Sequence, residues 1–214
     1  RIRSGPQAVT RTGSRRCRTA TSWYAARTFA FEANAASRGS PFTHKVTRDA
    51  TGEQIIWARS AWAWSQRYPL HWGGDSSTNW ANLIPQIEGG LSFGLSGFQF
   101  WSQDIGGFLG TTGGPLLVRW MQAGLFLSHA RIHGFGDREL YKFDPEVLRI
   151  CRDYIRLRYR MLPYIYTLAW ENSTTGMPLM RPLFFEDESS PALIDEKDAY
   201  LWGDAFLVAP VMDP

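Results

Sequence analysis

The sequence predicts a parallel α/β fold of the (β/α)8 barrel kind, and three observations predict it. Short apolar runs of strand character alternate with segments of helical spacing. Successive runs end in a polar group, Arg59, Asp75 and then Asp104, as the C-terminal face of a barrel requires. A doubly wound sheet is the alternative, but it calls for a glycine-rich phosphate turn opening a helix. Gly106-Gly107-Phe108-Leu109-Gly110 and Gly113-Gly114 do not match that fingerprint and read as loop turns.

Each element has its own warrant. Gln54-Ile55-Ile56-Trp57-Ala58 is a short apolar run that reads as a buried strand, with Arg59-Ser60 at its end. Leu70-His71-Trp72-Gly73-Gly74 is a second strand, closed by Asp75. Leu83, Ile84, Ile87, Leu91 and Leu95 follow helical spacing and predict a helix over 80–95. Gly97-Phe98-Gln99-Phe100-Trp101 is a third strand, followed by Asp104. Helices are expected over 115–127, with His133 just beyond, and over 145–172, and a final strand over 177–185. The tail around LWGDAFLVAPV reads as a strand pair entering a β-rich domain that stops short at Pro214.

A chain of 214 residues can bury a sizeable core. Its aromatic content is 14 %, with ten Trp, and aromatic faces stack on sugars, bases and apolar ligands alike. Cys17 and Cys151 make no disulfide framework, and none of the four histidines is in a pair at metal-ligand spacing with a carboxylate between, so there is no zinc signature; no other metal and no organic cofactor is expected. No apolar run approaches the roughly 20 residues that span a bilayer. A soluble protein is expected, with the cytoplasm slightly favoured and no membrane partner.

The basic balance is local. Residues 1–48 hold ten Lys and Arg against one acid, Glu32, a net of +9, whereas residues 49–214 carry a net of −6. The second part has no basic stripe, which argues against nucleic acid as a partner. For residues 1–48 three readings compete: an Arg-rich targeting segment, a basic arm, or sequence foreign to the domain. The third is favoured, because the segment shows no sustained period or turn chemistry.

The chemistry concentrates between Arg59 and His133, where isolated charges sit among rings and glycines. Asp75 follows His71, Trp72, Gly73 and Gly74 and precedes Trp80; Asp104 lies between Phe98, Phe100 and Trp101 on one side and Phe108 on the other. Packing against rings would desolvate such carboxyls and raise their pKa, as suits a general acid, and two of them suggest paired carboxyl chemistry. The plainer alternative is that each caps a helix or bonds nearby backbone, as Asp beside Gly commonly does.

From Asp49 to Pro214 the chain resembles glycoside hydrolase family 31, the α-glucosidase and α-xylosidase family. The resemblance is carried by RSAWAWSQRYPLHWGGD, GGLSFGLSGFQFWSQDIGGF, RWMQAGLFLSHARIH, LRYRMLPYIYTLA, MPLMRPLFFE and YLWGDAFLVAPV, in family order. The intervals from Arg59 to Asp75, Asp75 to Asp104 and Asp104 to His133 are 16, 29 and 29 residues. It implies the C-terminal half of the catalytic barrel over 49–185, the start of a β-sandwich C-terminal domain over 186–214, and a retaining exo-acting enzyme acting on an α-linked oligosaccharide or α-glycoside.

Position by position, the resemblance makes Asp75 the acid/base. Arg59, Asp104 and His133 become hydroxyl-binding groups around one sugar ring, and Trp72, Trp101 and Phe108 its aromatic wall. Asp75 and Asp104 are then not a catalytic couple. The family nucleophile belongs to a W-x-D motif on an earlier strand, and the residues before Arg59 contain none. The alternatives are a non-catalytic carbohydrate-binding or vestigial fragment and an α-glucosyltransferase. Trp64 departs from the family, which has a small residue there. Gln103 stands where α-xylosidase-like members often have His.

Overall fold

The computed structural model describes residues 43–53, 55–59, 61–68 and 70–214. Residues 1–42 of the basic segment, with Cys17 and Glu32, lie outside the described residues. A helix, α1, covers 43–51 and so runs across the boundary expected between 48 and 49.

Four consecutive parallel segments form the sheet layer. The first is the stretch at Ala58, which makes a parallel bridge to His71 rather than a full strand. Its backbone is nonetheless in register: Ala58 N–H donates to the Leu70 carbonyl at 2.8 Å, and Trp72 N–H donates to the Ala58 carbonyl at 3.2 Å. Burial alternates here, with Ile56 5 % exposed between Ile55 at 65 % and Trp57 at 39 %. Then follow β1 (His71–Trp72), helix α2 (Leu83–Leu95), β2 (Trp101–Ser102) and β3 (Asp104–Ile105), helix α3 (Gly114–Gly124), and β4 (Arg131–Ile132). Strand β1 pairs with β2, and β3 with β4, all in parallel. Trp101–Ile105 is thus one line of chain that pairs backward at its start and forward at its end. Order, direction and helical crossovers are those of successive units of a (β/α)8 barrel, of which the chain holds part.

The helices sit where sequence chemistry puts them. Before α2 a 3-10 turn (Trp80–Asn82) is capped by Asn79, whose side chain accepts from the Asn82 amide at 3.0 Å. Leu83, Ile87 and Leu91 bury one face of α2, and α3 opens with Pro115 in its first turn and buries Leu117, Trp120 and Met121. The long helix α4 (Pro145–Thr175) starts at a proline and stops at Gly176, whose φ of 76° ends the helical run. Arg158 of α4 donates to the carbonyls of Leu125, Leu127 and Ser128 at 2.6, 2.8 and 2.9 Å, which fixes the approach to β4.

The segment expected as a last strand over 177–185 goes elsewhere. Strand β5 (Met180–Pro182) pairs antiparallel with β6 (Tyr200–Trp202), which pairs with β7 (Phe206–Val208). A short helix, α5 (Pro191–Asp195), lies between β5 and β6. A division at 185/186 would therefore cut one sheet. An apolar run carries no information about strand direction; its partner decides. The sheet docks on α4 through Tyr164, whose hydroxyl donates to the Trp202 carbonyl at 2.7 Å. Among the described residues no helix is long and apolar enough to cross a membrane.

Candidate active site

Strand parity decides what reaches the inner face. Trp101, Gln103 and Ile105 point to the helices: Trp101 packs on Gly90, Gln103 accepts a 2.8 Å hydrogen bond from the Trp120 indole, and Ile105 lies against Gly124. Ser102 and Asp104 alternate with them and face inward, as does Trp72, the register partner of Ser102. Trp101 is 4 % exposed, and a Cβ on Gly90 would stand 1.7 Å from its ring. It is a core residue wedged between strand and helix, so the expectation that it lines a sugar wall is corrected.

Arg59 and Asp75 lie together. Arg59 Nη1 is 3.4 Å from Asp75 Oδ2, with the side chains 32 % and 41 % exposed. Gly74 permits this approach: its φ is +79°, and a Cβ there would meet Arg59 Nε at 2.6 Å. The ring-packed setting expected for Asp75 is therefore not found. Its carboxylate lies beside Arg59 and stays two-fifths exposed.

Asp104 has the enclosed setting instead. It is 1 % exposed, and its Oδ1 accepts from Arg131 Nη2 at 2.6 Å and Nε at 3.0 Å, while Oδ2 is buried with no hydrogen-bond partner among the described residues. Burial pushes its carboxyl above the ordinary carboxylate value. The hydrogen bond and charge of Arg131 and the charge of His133 pull it down, and the Asp75 charge adds to the rise. Three side chains, one past the end of β1 and two in or beyond β4, thus act on one carboxyl.

His133, exposed beyond β4, has its ring centroid 5.4 Å from Phe108, and Phe108 lies 6.3 Å from Phe135. The loops that carry Asp75 and Phe108 are stitched together: Ser76 O accepts from the amides of Phe108 and Leu109 at 2.8 and 2.9 Å. Arg138, 7 % exposed, seals them, donating to the carbonyls of Gly107 and Gly110 at 2.7 and 3.0 Å and to Thr78 Oγ1 at 3.1 Å. Burial lowers its pKa.

The structure brings together Arg59, Trp72, Asp75, Asp104, Phe108 and His133, and adds two arginines that sequence reasoning passed over. The signal for Arg131 was its place in RIH, two residues before His133, which is strand parity for a shared face. Arg138 left no signal, because most of its partners are carbonyls, which every sequence has. Trp64 stands apart, 74 % exposed with φ 76°, and Arg67 lies 5.3 Å over its ring. The one W-x-D tripeptide in the chain, Trp202-Gly203-Asp204, follows β6, and its Asp204 pairs with Arg181. Among the described residues no group of three or more His, Cys, Asp or Glu is placed to hold a metal ion.

Comparison with known proteins bears on family and fold. The model of the glycosyl hydrolases family 31 TIM-barrel domain matches residues 17–168, and that of the family's C-terminal domain matches residues 176–214. The first match begins inside the basic segment, so part of the stretch expected to be foreign falls within it. The chain is 43 % identical to alpha-glucosidase 2 of Bacillus thermoamyloliquefaciens, over 75 % of this chain and 21 % of that protein. It is 37 % identical to the alpha-xylosidase of Emericella nidulans, over 73 % of this chain and 20 % of the relative. The chain therefore spans about a fifth of the length of these relatives. Among solved structures, the family 31 alpha-glucosidase of Bacteroides thetaiotaomicron superposes with a TM-score of 0.76 at 37 % identity, over 80 % of this chain and 30 % of that one.

Proposed function

Because the chain belongs to glycosyl hydrolase family 31, we propose that its residues supply the proton donor and the sugar-holding groups of a retaining α-glycoside hydrolase. Asp75 protonates the departing glycosidic oxygen and later takes a proton from water. Arg59, Asp104 and His133 hold hydroxyls of the ring being transferred, and Trp72 and Phe108 offer it apolar surface. The observation that carries this reading is the contrast between the two carboxyls: one open beside an arginine, the other buried with an oxygen left to accept.

An open carboxyl is within reach of both a departing oxygen and an incoming water, the two proton transfers an acid/base makes in each turnover. A buried one held by Arg131 is an acceptor of fixed direction. Retention also requires a nucleophilic carboxylate about 5 Å from the acid. With Asp104 turned to its hydroxyl-binding role, that nucleophile comes from an earlier strand of the barrel. The substrate is an α-linked glucoside or xyloside, and transfer to a sugar acceptor is the same chemistry with water replaced.

The test is Asp75→Asn in the full-length protein that contains these residues. Turnover on alkyl or sugar leaving groups should fall by about 10²- to 10⁴-fold, the usual contribution of a positioned acid. Activated aryl α-glycosides, whose leaving groups need no proton, should lose far less in the glycosylation step. Equal losses on both would contradict the assignment.

A further inference from the structure

Asp104 and Arg131 face each other in the β3–β4 register. Both Arg131 donors, Nε and Nη2, converge on the same oxygen, Oδ1, at 3.0 and 2.6 Å, rather than one on each oxygen. The guanidinium also lies over two rings from other segments of the sheet layer: its carbon is 5.1 Å from the centroid of Trp57 and 5.3 Å from that of Trp72. Two such cation–π contacts favour the orientation that points Nε and Nη2 at Oδ1.

We propose that Arg131 is the positioning residue of this site: oriented by its contacts with Trp57 and Trp72, it occupies Oδ1 of Asp104 and so leaves Oδ2 as the acceptor for a sugar hydroxyl. The proposal rests on the sugar-holding reading above and adds what aims and charges the carboxylate. The other charged groups acting on Asp104 do not replace Arg131. Arg138 turns its Nη1 and Nη2 to carbonyls and to Thr78, makes no hydrogen bond to Asp104, and interacts with it by charge alone. His133 and Asp75 act on Asp104 by charge, with opposite signs. Without Arg131 the buried carboxyl has no hydrogen-bond donor among the described residues, and its neutral form gains. A neutral carboxyl donates as well as accepts, so the hydroxyl it receives is no longer held in one sense.

A lysine would keep the charge and lose the rest, because an ammonium neither stacks as a plane over rings nor fixes one oxygen with two donors. Arg131→Lys therefore separates position from charge. Arg131→Met removes both.

The experiment follows the Asp104 side-chain carbon by NMR against pH in the full chain labelled at aspartate, with Asp104→Asn to assign the signal. Glucose and xylose are titrated in parallel at pH 7 by tryptophan fluorescence. Arg131→Met should move the Asp104 midpoint up by about 1–3 pH units, the usual influence of an adjacent arginine. Arg131→Lys should move it less than Met does, yet weaken sugar binding by about tenfold. A midpoint unchanged in Arg131→Met overturns the proposal, as does full sugar affinity in Arg131→Lys. If Arg131→Met loses its near-ultraviolet circular dichroism, Arg131→Gln carries the same titration with the same expected rise. A native chain that binds neither sugar would refute the sugar-holding reading, while the midpoint still decides whether Arg131 governs Asp104.

Discussion

The loop that carries Asp75 and the strand that carries Asp104 hold the same chemical group in opposite surroundings. Asp75 comes after a left-handed glycine, two-fifths exposed, with one arginine 3.4 Å away. Asp104 lies inside a strand pair, with no exposed side-chain surface and two guanidinium donors on one oxygen. Backbone position makes the difference. A residue in a strand inherits the burial of its face, whereas a residue past the strand end can turn to solvent. In an active site these settings suit different work: the exposed carboxyl can gain and lose a proton, and the buried one keeps a fixed orientation.

The sharpest way to break the comparison is to delete each carboxylate. Asp104→Ala leaves the partly exposed Arg131 without its counter-ion and should cost about 1–3 kcal/mol in urea denaturation, the range for losing hydrogen bonds to a charged group. Asp75→Ala should cost less than about 1 kcal/mol, since its pair with Arg59 is partly exposed and solvent-screened. Similar costs at both positions would show that burial does not separate them.

A second effect appears with pH on the helix side of β1, where His71 is 2 % exposed against Phe93 and Phe98. Burial lowers its pKa to about 4, and His129 is likewise lowered to about 4, by burial and by the charge of Arg158. Between about 4 and the ordinary histidine value near 6.5 the unfolded chain binds the extra protons. Stability from these two groups is therefore present above about 6.5 and lost as pH falls toward 4. Asp104 has the opposite sign: with a raised folded value, its contribution falls as pH rises from the ordinary carboxylate value to that raised one. Denaturation midpoints from pH 7 to 4 should decline in the native chain and decline less in His71→Phe.

On the Asp75 side, Gly74→Ala adds a Cβ at φ +79° that meets Arg59 2.6 Å away. A loss of roughly 1–3 kcal/mol is expected from the backbone alone, and the Arg59–Asp75 approach should open, read as weaker sugar binding. The smallest effect is a gain: Trp64 holds φ 76° with 74 % exposure, so Trp64→Gly should stabilise the chain by about 1 kcal/mol. A loss there would mean that the stack with Arg67 outweighs the strain.

Helices were legible where spacing and punctuation agreed. Leu83, Ile87 and Leu91 marked α2, Pro145 and Gly176 bracket α4, and 114–124 came out close to the expected 115–127. Strands were harder, because most are two residues long and lie among aromatics on both faces. The third was expected over 97–101, whereas pairing starts at Trp101 and Asp104 belongs to a strand rather than to the loop after it. Trp101 was assigned to the sugar wall by the resemblance alone, and the observed phase puts it on the helix side. With Phe98, Phe100 and Trp101 all apolar, local pattern could not tell inward from outward.

By itself the sequence determined the alternation of strand and helix, the spacing from Arg59 to His133, and the family blocks that carry it. These are one-dimensional properties, set by residue type and interval. Only the tertiary structure decided which carboxyl is buried, that Arg131 rather than a neighbour in sequence holds Asp104, and that 180–182 joins the later sheet. Those depend on strand phase, on partner strands distant in sequence, and on how much water a fold leaves around a charge. No local run of residues contains that information.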